Sequence, residues 1–311
     1  MSAPPTSPPP SPPPGPRATP ATFRRRRTGA GLLAIVIVAL AIAALTSHPA
    51  SSGGAGRHRG ATGAQRSHGT PQLTAAQRRA ELPAEENTAI DRVLSYTPAV
   101  TAGGDHGDEL ALTFDDGPGP YTPRLVQTLN RLHVQATFFA IGEQEQYFSA
   151  GTLAELRAGD VVGDHTETHP TMTLLSPHGQ REELFEQIVH IEALGGPRPR
   201  LFRPPYGSFD ATTFKQLRAL HLLMVLWSDD TSDYTKPGVA AIVERALAGA
   251  HPGAIILMHD GGGDRSETIA ALPAIVAGLR RKGLHPVTVP RLLLDDPPPR
   301  GQPLPTSLAG D

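Results

Sequence analysis

The stretch "LTFDDGPGP", Leu112 to Pro120, ends an apolar run in two adjacent aspartates, Asp115 and Asp116, followed by a glycine. Taken alone the pair reads as a surface turn, because Asp-Gly favours turns and aspartate side chains satisfy turn backbone. Further along, "GDHTETHP" sets His165 and His169 four residues apart with no apolar periodicity around them. Two imidazoles at that spacing can reach one metal from a helical turn or a tight loop. Pro170 disfavours helical geometry at His169, so the segment should end or bend there. A catalytic zinc site commonly takes three protein ligands and leaves a position for water, and one strand-end aspartate would complete the set. The other aspartate leaves the backbone in a different direction and stays free to accept a proton from the attacking water.

Three later segments carry weaker signals. "RLFRPPYGSF" supplies Arg203 at a strand end, Pro204 and Pro205 to stiffen the backbone, and an exposed-looking Tyr206. "LWSDDTSDY" offers Asp229, Asp230 and Asp233, which in isolation read as a capped loop, and "IILMHDGGG" ends an apolar strand in His259. A lone arginine in a proline turn or a lone histidine on a rim is ordinary surface chemistry, so these residues gain meaning only together.

The elements that must bring them together are short apolar runs alternating with helical patterns between about Asp108 and Leu294. Seven runs read as strands: "ELALTF", "QATFFAI", "DVVGD", "RLFR", "LLMVLW", "AIILMH" and "LHPVTV". Amphipathic stretches between them, such as "TPRLVQTLNRLH", "GQREELFEQIVHIEAL" and "SETIAALPAIVAGLRRKG", would form an outer helical layer. The polar candidates stand at strand C-termini along the whole run, which favours a distorted β/α barrel of seven strands over an open sheet with one switch point.

The flanks read differently. Residues 1–27 are a proline- and arginine-rich tail, and residues 28–47, "TGAGLLAIVIVALAIAALTS", are an uncharged apolar run long enough for one transmembrane helix. Arg24 to Arg27 precede it, which keeps the tail cytoplasmic and exports the remainder. The length favours retention as an anchor, with cleavage near Ala50 to Ser52 as the alternative. Residues 48–105 read as a flexible linker and a weakly helical stalk, 106–294 as the catalytic domain, and 295–311 as a loose proline-rich tail. No cysteine is present, so disulfides and thiol-linked lipids are excluded, and no basic stripe points to nucleic acid.

In order and spacing the five polar segments resemble the polysaccharide deacetylase family, carbohydrate esterase family 4, with its NodB-homology domain. Its five motifs stand here as "TFDDG", "HTETH", "RPPYG", "DTSDY" and "LMH", and the likeness covers roughly Leu110 to Pro290. The resemblance implies a distorted β/α barrel with Asp115 as general base and Asp116, His165 and His169 as ligands of a divalent metal, usually zinc, with cobalt or another divalent ion as alternatives. It implies that Arg203 orients Asp115, that the Tyr206 N–H helps hold an oxyanion, and that His259 protonates the departing amine. Asp233 would orient His259, with Asp230 a second candidate for that contact. Pro205, Tyr206 and Tyr234 would line the sugar site. Tyr234 departs from the tryptophan that usually ends the fourth motif, which keeps an aromatic wall and changes its shape.

The expected reaction is therefore removal of N-acetyl groups from an extracellular polysaccharide, most readily peptidoglycan given an exported domain on a linker. Chitooligosaccharide and acetylxylan deacetylation are alternatives, as is a non-catalytic wall-binding module on the same fold. A glycosidase fits poorly, because its two carboxylates must flank the scissile bond about 5 to 9.5 Å apart and the histidines would be idle.

Overall fold

The computed structural model describes residues 84–306. The apolar run at 28–47 and the tail and linker around it lie outside the described residues. Among the described residues no helix is long and apolar enough to cross a membrane.

The core is a curled sheet in which every strand pair is parallel. In chain order its strands are β1 (Ala99–Val100), β2 (Glu109–Gly117), β3 (Thr137–Ala140), β4 (Val161–Asp164), β5 (Leu201–Phe202), β6 (Leu223–Val225), β7 (Asp229–Asp230), β8 (Ile255–His259) and β9 (His285–Val287). The spatial order is β1-β6-β5-β4-β3-β2-β8-β7, with β9 paired to the start of β2. All seven expected strands are present. Among the described residues the expected count is corrected to nine by β1 and β7, two-residue strands too short to produce a sequence pattern. The ladder forms a half-barrel, consistent with a distorted β/α barrel.

Strand β2 explains why the sheet has two faces. Leu110, Leu112 and Phe114 point outward into a layer with Leu125 and Leu129 of α2 (Thr122–Leu132) and Leu272 and Ile275 of α7 (Ser266–Arg281). Ala111 joins an inner cluster to which β1, β3, β4, β5, β6 and β8 also contribute, through Val100, Phe139, Val161, Leu201, Leu223 and Ile255. Alternation along a strand thus sends Thr113 and Asp115 to the inner face with Ala111.

The outer layer is completed by α3 (Gly142–Ala158), α4 (Pro177–Ala193), α5 (Ala211–Leu220) and α6 (Val239–Ala248). Helix α3 was not apparent in the sequence, because it buries Gly142, Glu145, Gly151, Thr152 and Glu155 rather than an apolar stripe, and it kinks at Phe148. Its small residues allow close approach: a Cβ on Gly151 would lie 2.7 Å from Pro118 Cβ, beside the "DDGP" loop.

Two boundaries differ from expectation. Helix α1 (Ala84–Leu94), expected as part of a stalk, sends Ile90 and Val93 into the inner cluster, where they meet Val289, Leu292 and Leu293 of α8 (Val289–Asp295). Arg92 donates to the carbonyls of Leu293 and Leu294, and Tyr96 Oη donates to the Pro298 carbonyl at 2.8 Å. The folded unit therefore starts before residue 106 and holds the first part of the expected loose tail.

Candidate active site

Strand register assembles the site. Asp115 of β2 lies opposite His259 of β8, Ala140 opposite Asp164, and Asp164 opposite Phe202, so the segments leaving these strands emerge along one rim. His165 and Arg203 are the first residues after β4 and β5. Between Asp115 and Gly117 the pairing with β3 skips one residue, and Asp116 takes φ 69°. This bulge turns Asp116 out of the strand's alternation, so both neighbouring carboxylates reach the same cavity.

Asp116, His165 and His169 each offer a ligand atom, and those atoms lie within 4.8 Å of one another. His169 Nε2 stands 3.1 Å and His165 Nε2 3.5 Å from Asp116 Oδ1. His165 Nδ1–H donates to the Arg203 carbonyl at 2.7 Å, which leaves Nε2 as the free lone pair. His169 Nδ1 is 3.1 Å from the Tyr206 hydroxyl. Two fixed imidazoles and one carboxylate fit a divalent metal of the zinc type with a coordination position to spare. Burial pushes the Asp116 carboxyl up, but the facing imidazoles of His165 and His169 outweigh it and hold the group well below the usual carboxylate range.

Asp115 faces Arg203, whose side chain is 0% exposed. Arg203 Nη1 donates to Asp115 Oδ1 and to Thr113 Oγ1, both at 2.8 Å. Nε and Nη2 donate to the carbonyls of Val225 and Leu226 at 3.0 Å, and the guanidinium lies 4.2 Å from the Phe139 ring centroid. Burial pulls the Arg203 pKa down, and the Asp115 charge offsets part of that.

Across the cavity, His259 Nδ1–H donates to Asp233 Oδ1 at 2.7 Å, while Asp233 Oδ2 accepts from the His259 backbone N–H at 3.0 Å and from Thr268 Oγ1 at 2.7 Å. Asp230 instead accepts from the Ser232 N–H at 2.6 Å, so Asp233 is the aspartate that contacts His259. Burial pulls the His259 pKa down, but the hydrogen bond and charge of Asp233 outweigh it and raise the net value. Burial likewise raises Asp233, and its bonds from His259 and Thr268 bring it below the ordinary value.

Asp115, Asp116, His165, His169 and His259 border one cavity of about 620 Å3, with Arg203 and Asp233 buried behind them. Tyr206 and Tyr234 stand on its rim, and Tyr234 meets the His259 imidazole edge-on with centroids 5.2 Å apart. The expectation for Pro205 is corrected: it is buried at the start of the 3-10 turn 205–207, and Pro204 lines the cavity in its place. Asp230, already a candidate in the sequence, lines it too, as do Trp227, Gly262 and Arg265, which carried no signal beyond their place after strands β6 and β8. Asp116, Thr166, His169 and Tyr206 are four of the eight non-glycine residues with positive φ among the described residues. Such backbone strain gathers where the surrounding structure holds a site in place.

A carboxylate held by a buried arginine, a two-histidine and carboxylate triplet, and a histidine held by an aspartate together define a hydrolase-type site on a β/α half-barrel. A family model described as polysaccharide deacetylase matches residues 102–225. The chain is 38% identical over 190 residues to a peptidoglycan-N-acetylglucosamine deacetylase of Bacillus cereus, covering 59% of this chain and 87% of that protein. It is 33% identical over 212 residues to a chitooligosaccharide deacetylase of Bradyrhizobium sp., covering 62% and 97%. The crystal structure of the Bc1960 peptidoglycan N-acetylglucosamine deacetylase in complex with 4-naphthalen-1-yl-N-oxidanyl-benzamide superposes with a TM-score of 0.62 at 30% identity, covering 67% of this chain and 97% of the other. The chain belongs to the polysaccharide deacetylases, the hydrolases of carbohydrate esterase family 4.

Proposed function

We propose that this chain is a metal-dependent deacetylase that cleaves the acetamide C–N bond of amino sugars in peptidoglycan, releasing acetate and leaving a free amine. The observation that carries the reading is the sharing of one cavity by Asp115, His259 and the Asp116, His165 and His169 triplet, with Arg203 and Asp233 buried behind Asp115 and His259 as their partners. Asp116, His165 and His169 would hold a divalent metal, of which zinc suits the donors best and cobalt is an alternative. Bound there, it would supply Lewis-acid polarisation of the acetyl carbonyl and activate a water.

Asp115 accepts the proton of the attacking water, with Arg203 keeping its carboxylate aimed from 2.8 Å. The Tyr206 N–H stabilises the developing oxyanion. His259 is gripped at Nδ1 by Asp233, so Nε2 is the atom that donates a proton to the departing amine. Its raised pKa favours the protonated form that this step needs. Tyr206 and Tyr234 offer flat apolar surface to the sugar ring.

Peptidoglycan is favoured by the name of the Bacillus cereus relative and by the apolar run and long linker ahead of the domain. The Bradyrhizobium relative supports chitooligosaccharide as the second reading. Acetate release and product analysis on purified peptidoglycan and on chitin oligomers, with zinc or cobalt added, test the choice. Release from peptidoglycan is the expected result. Release from chitin oligomers alone would favour the second reading, and no release from either would leave a non-catalytic module.

Residues 28–47 are proposed to be retained as a single membrane anchor, with residues 1–27 cytoplasmic and the deacetylase outside the cell. Cell fractionation with sequencing of the mature N-terminus checks this. A soluble product beginning near Ser51 would show cleavage instead.

A further inference from the structure

Arg265 is the only lysine or arginine lining the cavity among the described residues. The residue is 4% exposed, and its Nε donates to the Gly261 carbonyl at 2.6 Å, which fixes the plane of the guanidinium. No hydrogen bond joins either terminal nitrogen to the described residues, no carboxylate pairs with the group there, and the side chain opens only onto the cavity it lines. The point where a Cβ on Gly262 would lie is 3.4 Å from Arg265 Nη2 and 2.7 Å from Asp116 Oδ2, so the guanidinium borders the metal-ligand end of the cavity. A cation taken out of water without a partner is costly, and it is retained where a ligand or a nearby field compensates it. The planar fork of an arginine matches a carboxylate.

We infer that Arg265 is a carboxylate-binding residue of this cavity. Two carboxylates are available to it on the deacetylase reading, on which this inference rests for its source of ligand. One belongs to a sugar that bears a carboxylate beside the acetamido sugar being hydrolysed, as muramic acid does, and the other is the released acetate.

Ligand-observed NMR on the full zinc-loaded chain tests this in an Asp115→Asn background, which stops hydrolysis. Its probes are acetate, N-acetylglucosaminyl-N-acetylmuramic acid and the neutral disaccharide N,N′-diacetylchitobiose, offered to that chain with position 265 wild type, Arg265→Gln or Arg265→Lys. Wild type should bind the acidic disaccharide, acetate, or both with a dependence on Arg265 of about 10- to 100-fold. Loss in Arg265→Gln of the preference for the acidic over the neutral disaccharide assigns the sugar carboxylate. Weaker acetate binding with that preference intact assigns the product, and Arg265→Lys should keep part of whichever is lost. Equal weakening of both disaccharides with acetate unchanged would overturn the inference and reduce Arg265 to a support of the Gly261 to Gly263 loop. So would unchanged binding throughout, or a wild type that neither prefers the acidic disaccharide nor binds acetate, a result that stands even if a variant fails to fold. Failure of acetate release from polysaccharide would count against the deacetylase reading and leave these binding ratios as they are.

Discussion

Replacing Arg203 by methionine should destabilise the chain more than any other single change at the site. The side chain is fully buried, and four hydrogen bonds tie it to Asp115, Thr113, Val225 and Leu226. Methionine fills much of the same space against Phe139 but leaves Asp115 buried without its counter-charge, a loss of about 3–5 kcal/mol. The Val225 and Leu226 carbonyls lose their donor as well, at about 1–3 kcal/mol each, and non-additivity among neighbours trims the sum. A loss of about 5 kcal/mol or more follows, comparable with the whole stability of many domains, which is about 5–15 kcal/mol. At roughly 2–4 °C per kcal/mol for a domain of this size, the midpoint should fall by about 10–20 °C. Thermal and urea unfolding of wild type, Arg203→Met and the double variant Asp115→Asn, Arg203→Met measure it. The double variant should recover about 2 kcal/mol, because it removes the stranded charge along with its partner. A midpoint within about 3 °C of wild type for Arg203→Met, or a double variant less stable than the single one, would refute the reasoning.

Asp233→Asn should move the alkaline limb of kcat/KM to lower pH by about one pH unit or more. The sign follows from His259: Asp233 raises its pKa, so the proton donor survives to higher pH and is lost as pH rises through that value, and without the aspartate burial pulls it down against only the smaller effect of the Asp115 and Asp116 charges. A pH–rate profile with an unmoved alkaline limb would remove His259 as the acid. Gly261→Ala should lower both stability and metal affinity, because a Cβ there would lie 1.8 Å from the Asp116 carbonyl oxygen and must displace the bulge that carries the ligand. Overpacking of this kind costs about 1–3 kcal/mol, and a zinc titration matching wild type would contradict it.

What the sequence made legible was the chemistry at strand ends. Two adjacent carboxylates, two histidines four apart and a strand-end arginine are side-chain facts that stand in the sequence itself. The bulge at Asp116 was not legible, since Asp-Asp-Gly suits a simple turn equally well. The choice between Asp230 and Asp233 depended on the 3-10 turn at Asp233–Thr235, which no periodicity marks. Helix α3 was hidden because its buried face is polar: Glu145 is pushed up to about 8 by burial and Glu155 well above its ordinary value. Helix α1 looked like a stalk because two residues, Ile90 and Val93, carry much of its core contact. Arg265, just before the helix that starts at Ser266, carried no signal in the sequence, and only the cavity gives it a meaning.

The central claim is that Asp115 and Asp116 divide two tasks. Bound zinc and deacetylation of an N-acetylglucosamine oligomer, measured together on Asp115→Asn and Asp116→Asn with and without excess zinc, test it most directly. Asp115→Asn should keep its metal while turnover falls by roughly two to four powers of ten. Asp116→Asn should lose metal affinity, with part of the rate restored by added zinc. Equal metal loss in both variants, or near-wild-type activity in both, would contradict the account.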